Sequence, residues 1–396
     1  MKKKIACAVL GAMLLGLSLT ACGNADNPST GEITESGYPK REFIVAAIDS
    51  HDKTSAHEIE IFTNLVTERS GGAITFKVFY DNLLGKATDN LNTLSSGIAD
   101  LGTVCTLYTP SNLPLSQITY CVPFAPDDPV LAAKLMYKVS EAYPEFYEEY
   151  EKNNVVCLGW KGNEPYKLYS KGPIEELAQL KGKKITLGGV YYIPWFQSIG
   201  AVPVNAAAAD LYQTIKTGVA SGSFVYDSIY CNYKLYEVED YCLQVGLGAR
   251  NNNVLCFNKD MWESLDEKTQ QLFQECADEA MAEFQDWQQS EMDGWEQEML
   301  DNGVTISTLS DEAKAEWAET ALGYQDTLQT WIDEVTALGY DGAGIMSAYL
   351  QAGEELGYEW HFDTTPIYSK PLYRRLLCVR ESAERTDKGG TACQSQ

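Results

Sequence analysis

Residues 180–222 constrain the fold of this 396-residue chain more than any other stretch. Lys183-Lys-Ile-Thr-Leu187 is a short apolar-polar run stopped by Gly188-Gly189, which reads as a strand and a turn. Ile193, Phe196 and Ile199 follow at a spacing of three, and Gly200 ends that helix as a C-cap. Ala201-Val-Pro-Val204 is a second short extended piece, and Ala209-Asp-Leu-Tyr opens another helix that ends at Gly218. Short strands alternating with helices predict an α/β unit. The chain is long enough for two lobes with real cores, and 45% hydrophobic content excludes a disordered protein.

The same stretch carries three blocks in fixed order: Leu180-Lys-Gly-Lys-Lys-Ile-Thr186, Gly200-Ala-Val-Pro-Val204, and Asp210-Leu-Tyr-Gln-Thr-Ile-Lys-Thr-Gly-Val-Ala-Ser-Gly222. They resemble the signature of the solute-binding proteins of tripartite ATP-independent periplasmic (TRAP) transporters, the DctP-like family. That signature runs L-K-G-x-K-I-R, a variable helix, G-A-x-P-V, then E-V-Y-x-A-L-x-T-G-V-V-D-G. Val122-Pro-Phe124, Tyr236-Glu-Val238 and Asn258-Lys-Asp-Met-Trp262-Glu-Ser-Leu265 match further family blocks, so the resemblance covers about residues 43–300. It implies a two-lobed periplasmic-binding-protein-like fold, with a cleft between α/β lobes and a long helix spanning both. It also implies a receptor that needs no cofactor. Such a receptor is not an enzyme; it hands a small organic solute to the TRAP permease membrane subunits.

The termini read as an address and a tail. Lys2-Lys3-Lys4 precedes an apolar run too short to span a membrane comfortably. Leu19-Thr-Ala-Cys22-Gly looks like a lipobox, so residues 1–21 are expected to be a lipoprotein signal peptide and Cys22 the lipidated N-terminus. The alternative is an ordinary signal peptide with an incidental cysteine. Polar residues 22–42 read as a flexible tether. Residues 43–165 and 254–365 are then assigned to the first lobe with the spanning helices, 166–253 to the second, and 366–396 to a loose tail. The expected location is the extracytoplasmic face of the cell membrane, held by the lipid.

The net charge of −26 argues against a nucleic-acid partner and gives no long-range attraction to an anionic solute. Eleven cysteines include no C-x-x-C and no His/Cys cluster at metal spacing, so no metal site is expected. Most sit in apolar runs, as buried thiols or in one or two disulfides. Catalytic patterns are missing too: there is no G-x-S-x-G, no H-E-x-x-H and no Walker loop. A secreted enzyme using the same cleft, or the ligand-capture subunit of a sensor, remain the alternatives.

The family holds a ligand carboxylate with an arginine in the K-I-R strand, where a guanidinium fork matches two oxygens. Thr186 stands there. A second family arginine, an asparagine and a phenylalanine align with Tyr166, Val225 and Ala208. These replacements predict a wider, less cationic, more aromatic cleft. Trp160, Tyr191, Trp195 and Tyr226 complete the expected ligand contacts, while Phe196 reads as core at helical spacing. Lys161 and Lys167 are either solvated strand ends or inward cations, and Arg250 is another source of charge.

Overall fold

The computed structural model describes residues 33–51 and 53–365. The signal segment, Cys22, most of the tether and the 366–396 tail lie outside them. Among the described residues eleven strands occur in chain order: β1 Arg41–Ala46, β2 Ile74–Phe79, β3 Leu101–Cys105, β4 Val155–Trp160, β5 Lys167–Ser170, β6 Lys184–Leu187, β7 Val202–Asn205, β8 Gly222–Val225, β9 Tyr241–Gln244, β10 Asn253–Asn258 and β11 Thr305–Thr308. They form two sheets. The first has the order β2-β1-β3-β10-β4, and the second β11-β9-β5-β8-β6-β7.

In the first sheet β1 runs parallel to β2 and β3, while β10 is antiparallel to β3 and β4. β1 buries Phe43 and Val45 while Glu42 and Ile44 face outward, the period-two pattern of a half-covered strand. β10 is buried at every residue, as a central strand between two neighbours must be. In the second sheet β6 is parallel to both β7 and β8.

Two segments cross between the sheets side by side. One joins β4 to β5 and the other joins β9 to β10. Asn163 N–H donates to the Arg250 carbonyl at 2.7 Å, and the Asn251 amide donates to the Lys161 carbonyl at 2.8 Å. The first crossing runs through residues 161–166 and the second through residues 245–252, while residues 253–256 belong to β10 itself.

The helix Glu267–Asp301 spans about 50 Å at the standard rise per residue. Its first half lays Leu272, Phe273, Cys276 and Phe284 on the core of the first sheet. Its far end puts Trp295 and Met299 into the core behind the second. The expected long helix is present; the run Ser264-x-x-Glu267 reads as a capping box, but the N-cap is Asp266, whose carboxylate accepts from Thr269 N–H at 2.9 Å. Ser264 instead closes the short helix Lys259–Glu263. β11 then pairs with β9 in the second sheet, so the chain after this helix does not stay with the first sheet. The acidic stretch 310–338 makes two helices, Asp311–Tyr324 and Thr327–Ala337. A final helix, Gly342–Glu355, follows. No helix among the described residues is long and apolar enough to cross a membrane.

Candidate ligand cleft

The C-terminal edges of β3, β6 and β8 converge with the segment that enters β10. In open α/β sheets this edge is where ligands bind, because loops there are free to shape a crevice. An inner cavity of about 60 Å³ lies at this point. Tyr166, Thr186, Ala208, Val225 and Tyr226 all line it, so the structure brings together five of the eight residues singled out from the sequence. Cys105, Leu107, Tyr108, Phe224, Ile229 and Asn252 line it as well. An outer cavity of about 360 Å³ opens beside it and shares Cys105, Tyr108, Ala208, Tyr226 and Ile229.

The inner wall is apolar with a small polar group. Asn252 Nδ2 donates to the Tyr166 hydroxyl at 2.9 Å. Asn252 Oδ1 and Thr186 Oγ1 are buried and have no partner among the described residues. None of the inner lining side chains is an acid, a lysine, an arginine or a histidine. Burial pushes the Tyr166 and Tyr226 phenols well up, so both stay protonated donors. Burial likewise pushes the Cys105 thiol up to about 12, which leaves it a poor nucleophile.

Charge enters only at the mouth, where Asp49, Lys86 and Asp210 line the outer cavity. There the lobes touch. Tyr233 donates to Asp49 Oδ1 at 3.0 Å, Lys53 Nζ donates to the Asn232 carbonyl at 2.8 Å, and Ala208 N–H donates to the Tyr108 hydroxyl at 3.4 Å.

The other three expected contacts lie elsewhere. Trp160 packs among the rings of Tyr137, Tyr147 and Tyr150. Tyr191 donates its hydroxyl to Glu334. Trp195 is fully buried, and its Nε1 donates to Thr327 Oγ1 at 3.1 Å. Phe196 is core, against Phe224 and Trp317.

Neither lysine is a solvated strand end. Lys161 is buried against Glu58, with its ammonium 4.2 Å over the Phe284 ring. Lys167 pairs with Asp227 at 2.6 Å. Arg250 is buried behind the cavity, 5.9 Å over Trp195, and donates to the carbonyls of Leu247 and Ala249. Seven described cysteines are buried free thiols. Among the described residues no group of three or more His, Cys, Asp or Glu is placed to hold a metal ion.

Sequence reasoning passed over Asn252 and Tyr108. Asn252 left a trace: Asn251-Asn252-Asn253 is an amide run leading into a strand that is otherwise apolar, and buried amides need partners. Tyr108 had no comparable signal.

Two α/β lobes, paired crossings and a cavity between them define the class of two-lobed binding proteins. The profile of the bacterial extracellular solute-binding proteins, family 7, matches residues 45–328, and the chain belongs to that family. A solute-binding protein of Chromohalobacter salexigens is 26% identical over 318 residues, covering 78% of this chain and 86% of its own. The crystal structure of a TRAP periplasmic solute-binding protein from Sulfitobacter sp. NAS-14.1, with bound β-D-galacturonate, has a TM-score of 0.68 at 20% identity, over 78% of this chain and 99% of that one. A Bordetella pertussis extracytoplasmic solute receptor binding pyroglutamic acid has a TM-score of 0.69 at 18% identity, with the same coverage.

Proposed function

We propose that this protein is a lipid-anchored receptor, tethered through Cys22, that closes its two lobes over a small organic solute and delivers it to a TRAP-type permease. The observation that carries this reading is the inner cavity at the strand edges, apolar with a small polar group, with contacts from both lobes at its mouth. Tyr166, Thr186, Ala208, Val225 and Tyr226 are the proposed ligand contacts. The receptor relatives with galacturonate and pyroglutamic acid support the solute class in its coarse form.

The inner wall here has Thr186 and Tyr166 where the family signature places arginines. A hydrogen bond to a charged group contributes about 1.5–3 kcal/mol, so two lost donors weaken a dicarboxylate by roughly 100-fold or more. Succinate, malate and fumarate are therefore expected to bind weakly. A thermal-shift screen of a broad solute collection tests the receptor reading, because a ligand that binds only the folded state raises its melting temperature. The expected result is a clear rise for a narrow group of solutes. No rise with any compound would overturn it.

A further inference from the structure

We infer that the solute presents a neutral amide or lactam edge to the Tyr166–Asn252 pair, and that Asn252 selects for it. This deepens the receptor reading above and rests on it. Asn252 is 2% exposed and lines the inner cavity. Its own carbonyl is fixed by Thr106 N–H at 2.8 Å, so the side chain is held at the start of β10. One end of its amide meets the Tyr166 hydroxyl, and the other has no partner among the described residues. Unanswered buried polar atoms are rare in folded proteins, and one on a residue that lines a cavity marks a place for a ligand or a water.

The pairing chemistry is independent of which way the amide is turned. With Nδ2 donating to Tyr166, the phenol proton is free to point at the cavity and Oδ1 is the open acceptor. With the amide turned over, Tyr166 donates to Oδ1, Nδ2 becomes the open donor, and the phenol oxygen keeps a free lone pair. Either way the pair shows one donor and one acceptor side by side. An amide or lactam edge answers with a C=O and an N–H. A carboxylate has acceptors only, so it meets the donor and sets its second oxygen against an acceptor. The inner lining adds no cation to offset that clash. The Thr186 hydroxyl, 1% exposed and unpartnered among the described residues, is free to serve a further polar group of the same solute.

The test uses the full chain after its signal segment, by calorimetry and thermal shift, with matched acids and amides that carry no other amide or lactam group: succinate against succinamide, and glucuronate against glucuronamide. The amide of a binding pair is expected to bind at least tenfold tighter than its acid. Asn252→Leu should reduce amide binding about tenfold and leave acid binding within twofold, and Tyr166→Phe, a gentler change, should move the amide in the same direction. Acids that bind as tightly as their amides overturn the inference and leave the receptor reading standing. So does a screen in which only sugars or acids bind. If no compound of any class binds, the receptor reading falls as well.

Discussion

Burial pushes the Glu239 carboxyl up from its ordinary 4.5 to about 8, against the hydrogen bonds it accepts from Ser223. The folded chain therefore keeps this proton between about pH 4.5 and 8, where the unfolded chain gives it up. The stability it contributes is complete below 4.5 and is lost as pH rises toward 8. Glu149, also raised to about 8, and Glu164, raised to about 7, carry the same sign. Lys161 has the opposite sign: burial lowers it to about 7, so its effect is an increase in stability from about pH 7 to 10.5. Glu239→Gln should raise the melting temperature at pH 8 by more than at pH 5, and equal shifts at both would count against this account. A second residue-scale prediction separates core from cleft. Trp195 holds the helix Tyr192–Ser198 to the helix Asp311–Tyr324 through Trp317, whose Nε1 donates to the Trp195 carbonyl at 3.0 Å. Trp195→Ala should cost about 3–5 kcal/mol of stability in urea unfolding, as large buried aromatics do. Four of the five cavity residues, Tyr166, Thr186, Ala208 and Val225, were legible because the family resemblance aligns them with ligand-contact positions, and Tyr226 because it belongs to the aromatic group next to them. Tyr191 and Trp195 were not, because the helices that cover them arrive more than a hundred residues later, and Trp160 is taken up by rings on the helices just before its strand.

At the scale of elements, local signals worked where one pattern had one reading. Gly200 closes its helix at φ +78°, β6 and β7 appear where the residue pattern puts them, and the long helix is the one the family resemblance implies. They failed where a pattern had two readings. Ser264-x-x-Glu267 fits a capping box, but Asp266 fits an N-cap equally well, and the short helix before it claims Ser264. Asp266→Ala should therefore cost about 1 kcal/mol, and Ser264→Ala clearly less, in chemical denaturation. Equal losses would return the cap to Ser264. The acidic run 310–338 hides its break in the same way: Asp326 caps the second helix by accepting from Gln329 N–H at 2.9 Å. The crossing segments show a different constraint. A Cβ on Gly162 would lie 1.9 Å from the Pro129 carbonyl oxygen, and one on Gly248, at φ +100°, 2.3 Å from that of Ala125. Both crossings thus press on one backbone stretch, which no single-sequence pattern announces.

The whole molecule is organised by what crosses between its sheets. The long helix, the two paired connections and β11, which returns to the second sheet, tie the lobes together at the back. At the front the contacts are single hydrogen bonds that each involve a side chain. Tyr233 reaches Asp49, Asn232 donates to Thr54 Oγ1 at 3.1 Å, Lys53 reaches the Asn232 carbonyl, and Tyr108 receives Ala208 N–H. Under the proposed closure of the two lobes, weakening these front contacts should favour the open form without unfolding either core. Tyr233→Phe removes one hydrogen bond to a carboxylate and leaves Asp49 its bond from Ser55 at 2.6 Å. Its effect should fall on closure. Solute affinity should drop by about tenfold, as expected for one charge-assisted bond present only in the closed state. The melting temperature of the ligand-free protein should change by no more than about 2 °C, because neither core loses a contact. Small-angle scattering should show a larger radius for the ligand-free variant than for the parent, and the same compact radius for both at saturating solute. An unchanged ligand-free radius together with unchanged affinity would show that this contact does not hold the lobes closed.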